Sequence, residues 1–329
     1  MVMKQMIYDF PNHIADAIKI ANSISFDLDI STIENIVIAG QGGSAIGGVV
    51  VKNLLSDNIS VPVFINQDYA IPKFINEKTL FIASSYSGNT EETLSALSNA
   101  IDKKSKIFTI CSGGELLNIS RKNSIDHIVI PSNNAPRGML CYSIVQLLFI
   151  LCKFTGISIN SLKQELLSVQ KYLLLNQNDI IGLSSEIVDK MSNKMPFIYT
   201  YPDYEGVALR FKQQLNENSK RNACYNLIPE MNHNEIIPWG FKNTCVVPIF
   251  LDGETCSSNK KRMDITISEI EKNKHDVIRV GIESISYFKQ YFYFIHLVDW
   301  VSVIFAEQNN IDPDDISLIH SLKKKLKDK

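Results

Sequence analysis

Short apolar runs alternate with amphipathic stretches through the first half of the chain. Strands are expected at residues 35–39, 61–66, 80–84, 107–111 and 127–130, and helices or part-helices at 45–55, 91–101 and 115–122. Five strands joined by helical crossovers predict a parallel sheet covered on both faces. An apolar helix at 141–154, stopped by Gly156, closes this unit, so the chain divides near residue 155 into 1–155 and 156–329. Residues 158–194 hold little Gly or Pro and carry Leu and Ile at helical spacings, which predicts two helices. A second alternation follows, with strands expected at 197–201, 224–228, 245–251 and 277–280 and helices at 205–217 and 266–274. The apolar run 286–308 mirrors the helix that ends the first half. Two similar halves point to an old duplication.

Composition narrows the function classes. Thirty-three Lys+Arg stand against 35 Asp+Glu in 329 residues, and 45% of the chain is hydrophobic. That balance argues against disorder and broad nucleic-acid binding, both of which need a strong charge excess. The first eleven residues carry Asp9 and Pro11 where a secretory signal needs an unbroken apolar core. The apolar stretch 141–152 is too short for a bilayer and contains Ser143 and Gln146, so it is expected as a buried helix. The six cysteines form no C-x-x-C pair, and several lie in apolar runs. Reduced core thiols in a cytoplasmic protein, without a metal site, are the expectation. The Lys-rich end, 323–329, reads as a solvated helical tail.

Two loops carry most of the chemical information. Gly40-Gln41-Gly42-Gly43-Ser44-Ala45-Ile46-Gly47-Gly48 follows the first strand, and such glycines let a backbone present N–H groups to a ligand at a helix start. Read literally it also matches a dinucleotide fingerprint, with Asp68 as a ribose ligand, and a purely structural turn fits as well. Ser84-Ser85-Tyr86-Ser87-Gly88-Asn89-Thr90-Glu91-Glu92-Thr93 opens the next helix but one. Helix capping needs one hydroxyl or amide, not Ser85, Ser87 and Thr90 together. The cluster therefore predicts a phosphate cradle of N–H groups, hydroxyls and helix dipole. A dinucleotide fold has no need of this second loop.

Together the two loops resemble the sugar isomerase (SIS) domain. Pro136-Arg137-Gly138, Asn216-Glu217-Asn218 and Pro229-Glu230-Met231-Asn232-His233-Asn234-Glu235 extend the likeness, and the chain resembles the bifunctional phosphoglucose/phosphomannose isomerase family from the first Gly loop to Lys323. The resemblance implies an α/β fold of two SIS domains, each a flavodoxin-like parallel sheet flanked by helices. It also implies a homodimer, no cofactor and no metal. The first domain would bind the sugar phosphate; the second would supply catalysts and dimer surface.

Aldose–ketose isomerisation needs a base to move a proton between C2 and C1, a cation near the enediolate oxygens and an acid–base pair for ring opening. A helical Glu is ordinarily a surface residue, but the resemblance assigns Glu217 the proton transfer. Arg137 sits in a loop that suits a guanidinium aimed into a cleft, against the alternative of a surface salt bridge; Met139 stands where the family commonly has a small residue. By resemblance His233 assists ring opening from the partner subunit, with Glu235 as its orienting neighbour, and Lys323 contacts the sugar near its ring oxygen. Lys324 is the adjacent alternative, and Asp314 and Asp315 depart from the family's hydroxyl or small residues. Gly42, Gly43 and Ser44 are expected on sugar oxygens. His296, in an apolar run, is expected as a core side chain. Another SIS-type sugar-phosphate isomerase, a non-catalytic sugar-phosphate sensor and a dinucleotide reductase are the competing readings.

Overall fold

The computed structural model describes residues 2–23, 30–282 and 285–327. Helices α1 (Val2–Tyr8) and α2 (Phe10–Asn22) come first. The first sheet follows as β1 (Asn35–Ala39), α3 (Gly43–Leu54), β2 (Val63–Asn66), β3 (Thr79–Ser85), α4 (Glu91–Asp102), β4 (Lys106–Cys111), α5 (Gly114–Lys122) and β5 (Asp126–Val129). Its strands are all parallel in the order 2-1-3-4-5. A short 3-10 turn, Pro136–Met139, leads into α6 (Leu140–Leu151), and α7 (Ile159–Leu175) and α8 (Gln177–Met191) connect to the second sheet. There β6 (Met195–Thr200), α9 (Glu205–Glu217), β7 (Cys224–Leu227), β8 (Val246–Asp252), α10 (Ser257–Lys272) and β9 (Ile278–Gly281) form a parallel sheet ordered 7-6-8-9. Helices α11 (Tyr287–Gln308) and α12 (Ser317–Lys327) end the described chain. Both sheets start with the same winding, so the similarity of the halves is clearer in topology than in letters.

Burial explains the apolar runs. All seven residues of the central strand β3 are buried, and so are all twelve of α6. The apolar stretch Pro136–Phe154 has the length and composition of a membrane span, yet 94% of its most apolar window is buried inside the protein. It is the core helix of the first half. One hydrophobic cluster runs without a break from the first sheet through α6, α7 and α11 to the second. His296 is fully buried in it, as expected, and burial pulls its pKa down to about 3.

Three differences from the sequence pattern have local causes. Helices α1 and α2 have no counterpart in the sequence pattern, and Pro11 falls in the first turn of α2, where its missing N–H costs nothing. Helix α10 starts nine residues before the expected position 266. Its polar first half buries only Met263, which hides the stripe Met263, Ile267, Ile270. The cysteines are not all core thiols: Cys111, Cys141 and Cys152 are buried, whereas Cys245 and Cys256 are exposed just ahead of β8 and α10. The tail expectation holds for α12, whose Lys323, Lys324 and Lys325 are exposed; Asp328 and Lys329 lie outside the described residues.

Candidate active site

The strand order reverses between β1 and β3, and in open α/β sheets the crevice at the carboxyl ends of such strands is the ligand position. Both informative loops open there. Gly42 has φ +52, a left-handed value that favours glycine, and it delivers the chain into α3. Ser44 is buried in the first turn of α3, beside the more open Gly42 and Gly43. In the second loop the buried Ser85 shares a 2.8 Å hydrogen bond with Thr90, while Ser87 is exposed. Gly88 has φ +68, and its N–H donates to Ser85 O. The loop is fastened to the next crossover: Leu116 N–H donates to Gly88 O at 2.9 Å, and Asn89 Oδ1 accepts from Glu115 N–H at 3.0 Å. A methyl group on Gly88 would lie 1.8 Å from Gly113 O. Gly88→Ala therefore combines a forbidden contact with left-handed strain of about 1–3 kcal/mol. The expected result is a loss of stability of at least about that size, read as a lower urea midpoint with an unchanged slope.

Arg137 and Glu217 lie 80 positions apart in sequence, and helix packing brings them together. Helices α3 and α9 pack against each other and run in opposite directions. At one end Asn53 Oδ1 accepts from Gly206 N–H at 3.2 Å; at the other, a methyl group on Gly43 would lie 3.9 Å from Arg137 Cα. Glu217, the last residue of α9, thus reaches the loop that begins α3. Its Oε2 lies 3.4 Å from Arg137 Nη1.

Arg137 is buried, and its guanidinium is held on every side. Nε donates to Asn218 Oδ1 at 2.7 Å, Nη2 donates to Pro313 O, and Asn218 Nδ2 donates to Ser302 Oγ at 2.9 Å. Its own carbonyl accepts from Arg210 Nη2 at 2.6 Å, and Arg210 forms a two-pronged pair with Asp299 at 2.9 and 2.8 Å. Burial draws the Arg137 pKa down, and Glu217 and Asp314 oppose that shift. Met6 of α1 sits against Gly138, so a helix absent from the sequence pattern seats this turn. The surface-salt-bridge alternative for Arg137 is excluded by its burial.

Known proteins resemble this chain in sequence and in fold. A family model described as the bacterial phospho-glucose isomerase C-terminal SIS domain matches residues 181–326. The bifunctional phosphoglucose/phosphomannose isomerase of Caldicellulosiruptor bescii is 36% identical over 98% of both chains, and that of Aquifex aeolicus 33% identical over 91% of this chain and 92% of its own. The chain belongs to the bifunctional phosphoglucose/phosphomannose isomerase family. A D-glucosamine-6-phosphate 4-epimerase from Sulfolobus acidocaldarius is 33% identical over 65% of this chain and 67% of its own. In fold the chain is similar to the C-terminal domain of a Francisella tularensis glucosamine-fructose-6-phosphate aminotransferase (TM-score 0.76, 16% identity, 96% and 98% covered). It is also similar to Escherichia coli tagatose-6-phosphate ketose/aldose isomerase (TM-score 0.75, 13% identity, 95% and 94% covered).

Against that family pattern, His233 stands apart from the Arg137–Glu217 pair. His233 is exposed in the 3-10 turn Glu230–His233 after β7, at the carboxyl end of the second sheet. Glu217 ends a helix that runs antiparallel to that sheet, so it lies at the opposite end; α9, of 13 residues, is about 20 Å long. Glu235 does not orient the imidazole in this chain: Tyr199 Oη donates to it at 3.0 Å and Asn226 Nδ2 at 2.6 Å. Lys323 is exposed on α12.

The acidic residues before α12 are engaged in holding their own segment. Asp312 Oδ1 accepts from Asp314 N–H, Asp314 Oδ2 from Val2 N–H, and Asp315 Oδ1 from Ser317 N–H. What faces Arg137 is the Pro313 carbonyl. Met139, the other departure, is buried in the hydrophobic core. A cavity of about 520 Å³ opens beside Glu217, with Lys220 and residues 315–319 among its walls. Lys220 escaped the sequence reading; its only signal was its place three residues after Glu217. Among the described residues no group of three or more His, Cys, Asp or Glu side chains is placed to hold a metal ion.

Proposed function

We infer that this protein is a reversible aldose–ketose isomerase that interconverts glucose 6-phosphate and mannose 6-phosphate with fructose 6-phosphate. The observation that carries the reading is the meeting of a buried guanidinium and a half-buried carboxylate, Arg137 and Glu217, beside the glycine loop at the topological switch point. The hydroxyls of Ser85, Ser87 and Thr90, with the N-terminus of α4, hold the phosphate. Gly42, Gly43 and Ser44 hold sugar oxygens. Glu217 takes the proton from C2 of the open-chain aldose, a cis-enediolate forms, the hydroxyl proton passes from the C2 oxygen to the C1 oxygen, and the same carboxylic acid returns the carbon-bound proton to C1, leaving an alcohol at C1 and the ketone at C2. Arg137 offsets the negative charge on the enediolate oxygens. No metal or other cofactor takes part.

In this reading residues 1–155 form the sugar-phosphate domain and residues 156–329 supply Glu217 and the dimer surface. The active unit is a cytoplasmic homodimer in which His233 of the partner subunit opens the sugar ring. The separation of His233 from Glu217 within one chain supports that arrangement. Lys323 reaches the sugar near its ring oxygen, and the exchange serves glycolysis and gluconeogenesis.

One assay tests the activity. Fructose 6-phosphate is supplied with EDTA, and glucose 6-phosphate and mannose 6-phosphate are followed separately. Both products are expected without added metal. Neither product, or conversion of glucosamine 6-phosphate alone, overturns the reading.

A further inference from the structure

The turn that follows α9 is held by hydrogen bonds from Asn218 and Ser219. Asn218 N–H donates to Gln214 O, Asn218 Nδ2 to Ser302 Oγ, and Ser219 Oγ to Ser302 O at 2.7 Å, so α11 holds the turn from behind. Lys220 then takes φ +53, a left-handed conformation in which glycine is the usual resident. Lys104 and Lys274 take the same conformation just after α4 and α10, so the reason for a lysine here lies beyond the backbone.

That reason is visible in what its ammonium touches. Lys220 Nζ turns back and donates to Glu217 O at 2.6 Å, and it also lies 3.5 Å from Pro313 O. Pro313 O is the carbonyl that accepts from Arg137 Nη2. Two cations therefore converge on one carbonyl oxygen, with the Glu217 carboxylate beside Arg137 and its carbonyl beneath Lys220. Helix α9 ends on Glu217, where the negative end of its dipole would otherwise face that carboxylate.

We propose that Lys220 is a positioning residue for Glu217: its ammonium clamps the last turn of α9 to the 312–315 segment and keeps the carboxylate aimed at the site. The proposal rests on the reading of Glu217 as the base. Burial and then the neighbouring Arg137 lower the Lys220 pKa, while Asp315, Asp312 and Glu217 raise it. Asp314 and Asp312 act on Arg137, and Asp315 and Asp312 on Lys220, so the segment before α12 faces both cations.

Lys220→Gly tests this in the full-length protein, because glycine adopts the same φ without strain and leaves the fold intact. The expected kcat for fructose 6-phosphate falls on the order of 10- to 100-fold, the scale of a small misplacement of a catalytic group, with KM changed less than about threefold. Lys220→Arg restores most of kcat. A kcat within about threefold of the parent overturns the proposal, as does a lower kcat that Lys220→Arg does not restore, or an effect confined to KM. Glu217→Gln measured alongside separates the two ideas: if that variant keeps its turnover, the assignment of the base fails, whatever Lys220 does.

Discussion

Glu217→Gln is expected to lower kcat about 10²- to 10⁴-fold, the usual share of a positioned general base, while fructose 6-phosphate still binds within a few-fold of the parent affinity. The amide keeps the shape of the side chain but accepts no proton. Arg137 does not depend on Glu217 for its place, since Asn218, Pro313 and the Arg210 contact hold it. Nor does the phosphate cradle at 85–90, which the Gly88–Leu116 and Asn89–Glu115 bonds fasten. Stopped or coupled assays with binding followed by calorimetry measure both halves of the statement, and near-normal turnover would remove Glu217 from the mechanism. The same variant also tests the partner histidine. In a mixed dimer of Glu217→Gln and His233→Ala chains, a crossed arrangement leaves one site with both native residues. Activity should then return on mixing two inactive proteins; no recovery in a verified mixed dimer argues that the residues act within one chain.

Arg210→Met is expected to cost about 3–5 kcal/mol of stability, the toll of leaving a buried carboxylate without its cation. Arg210 and Asp299 are each 2% exposed, and Gln214 Nε2 is the other donor to Asp299, at 2.9 Å. Burial already raises the Asp299 pKa, and Arg210, with Gln214, pulls it down. Without the guanidinium the folded-state pKa climbs further above the unfolded value. The variant's deficit is then largest near neutral pH and shrinks as pH falls through that raised pKa, because the folded state binds the proton more readily. Urea denaturation at two pH values reads this directly, as a lower midpoint with an unchanged slope. Arg210→Met paired with Asp299→Leu should recover most of the loss. Activity suffers as well, since Arg210 holds the Arg137 carbonyl. Equal loss at pH 5 and pH 7 would show that the ion pair is not the cause.

Much of the fold was legible because parallel strands buried on both faces must be written as apolar runs. The strand expected at 80–84 is the middle of β3, whose seven residues are all buried. The two loops were legible as strand-to-helix turns rich in glycines and hydroxyls, and they sit at the carboxyl ends of β1 and β3. Helices α1 and α2 and the first half of α10 were hidden, because a proline at a helix start and a charged first turn both blur the periodicity.

The sequence by itself determined the alternation of elements, the two loops and the family, since each is encoded within a few dozen neighbouring residues. Only the tertiary structure decided that Arg137 is a buried cation rather than a surface one, that it meets Glu217, and that Lys220 stands under them. Those contacts depend on α3 and α9 packing antiparallel across two sheets, and on a carbonyl at Pro313 lent by the far end of the chain. Distances between such segments follow from the shape of the packed core, which no local pattern of residues records.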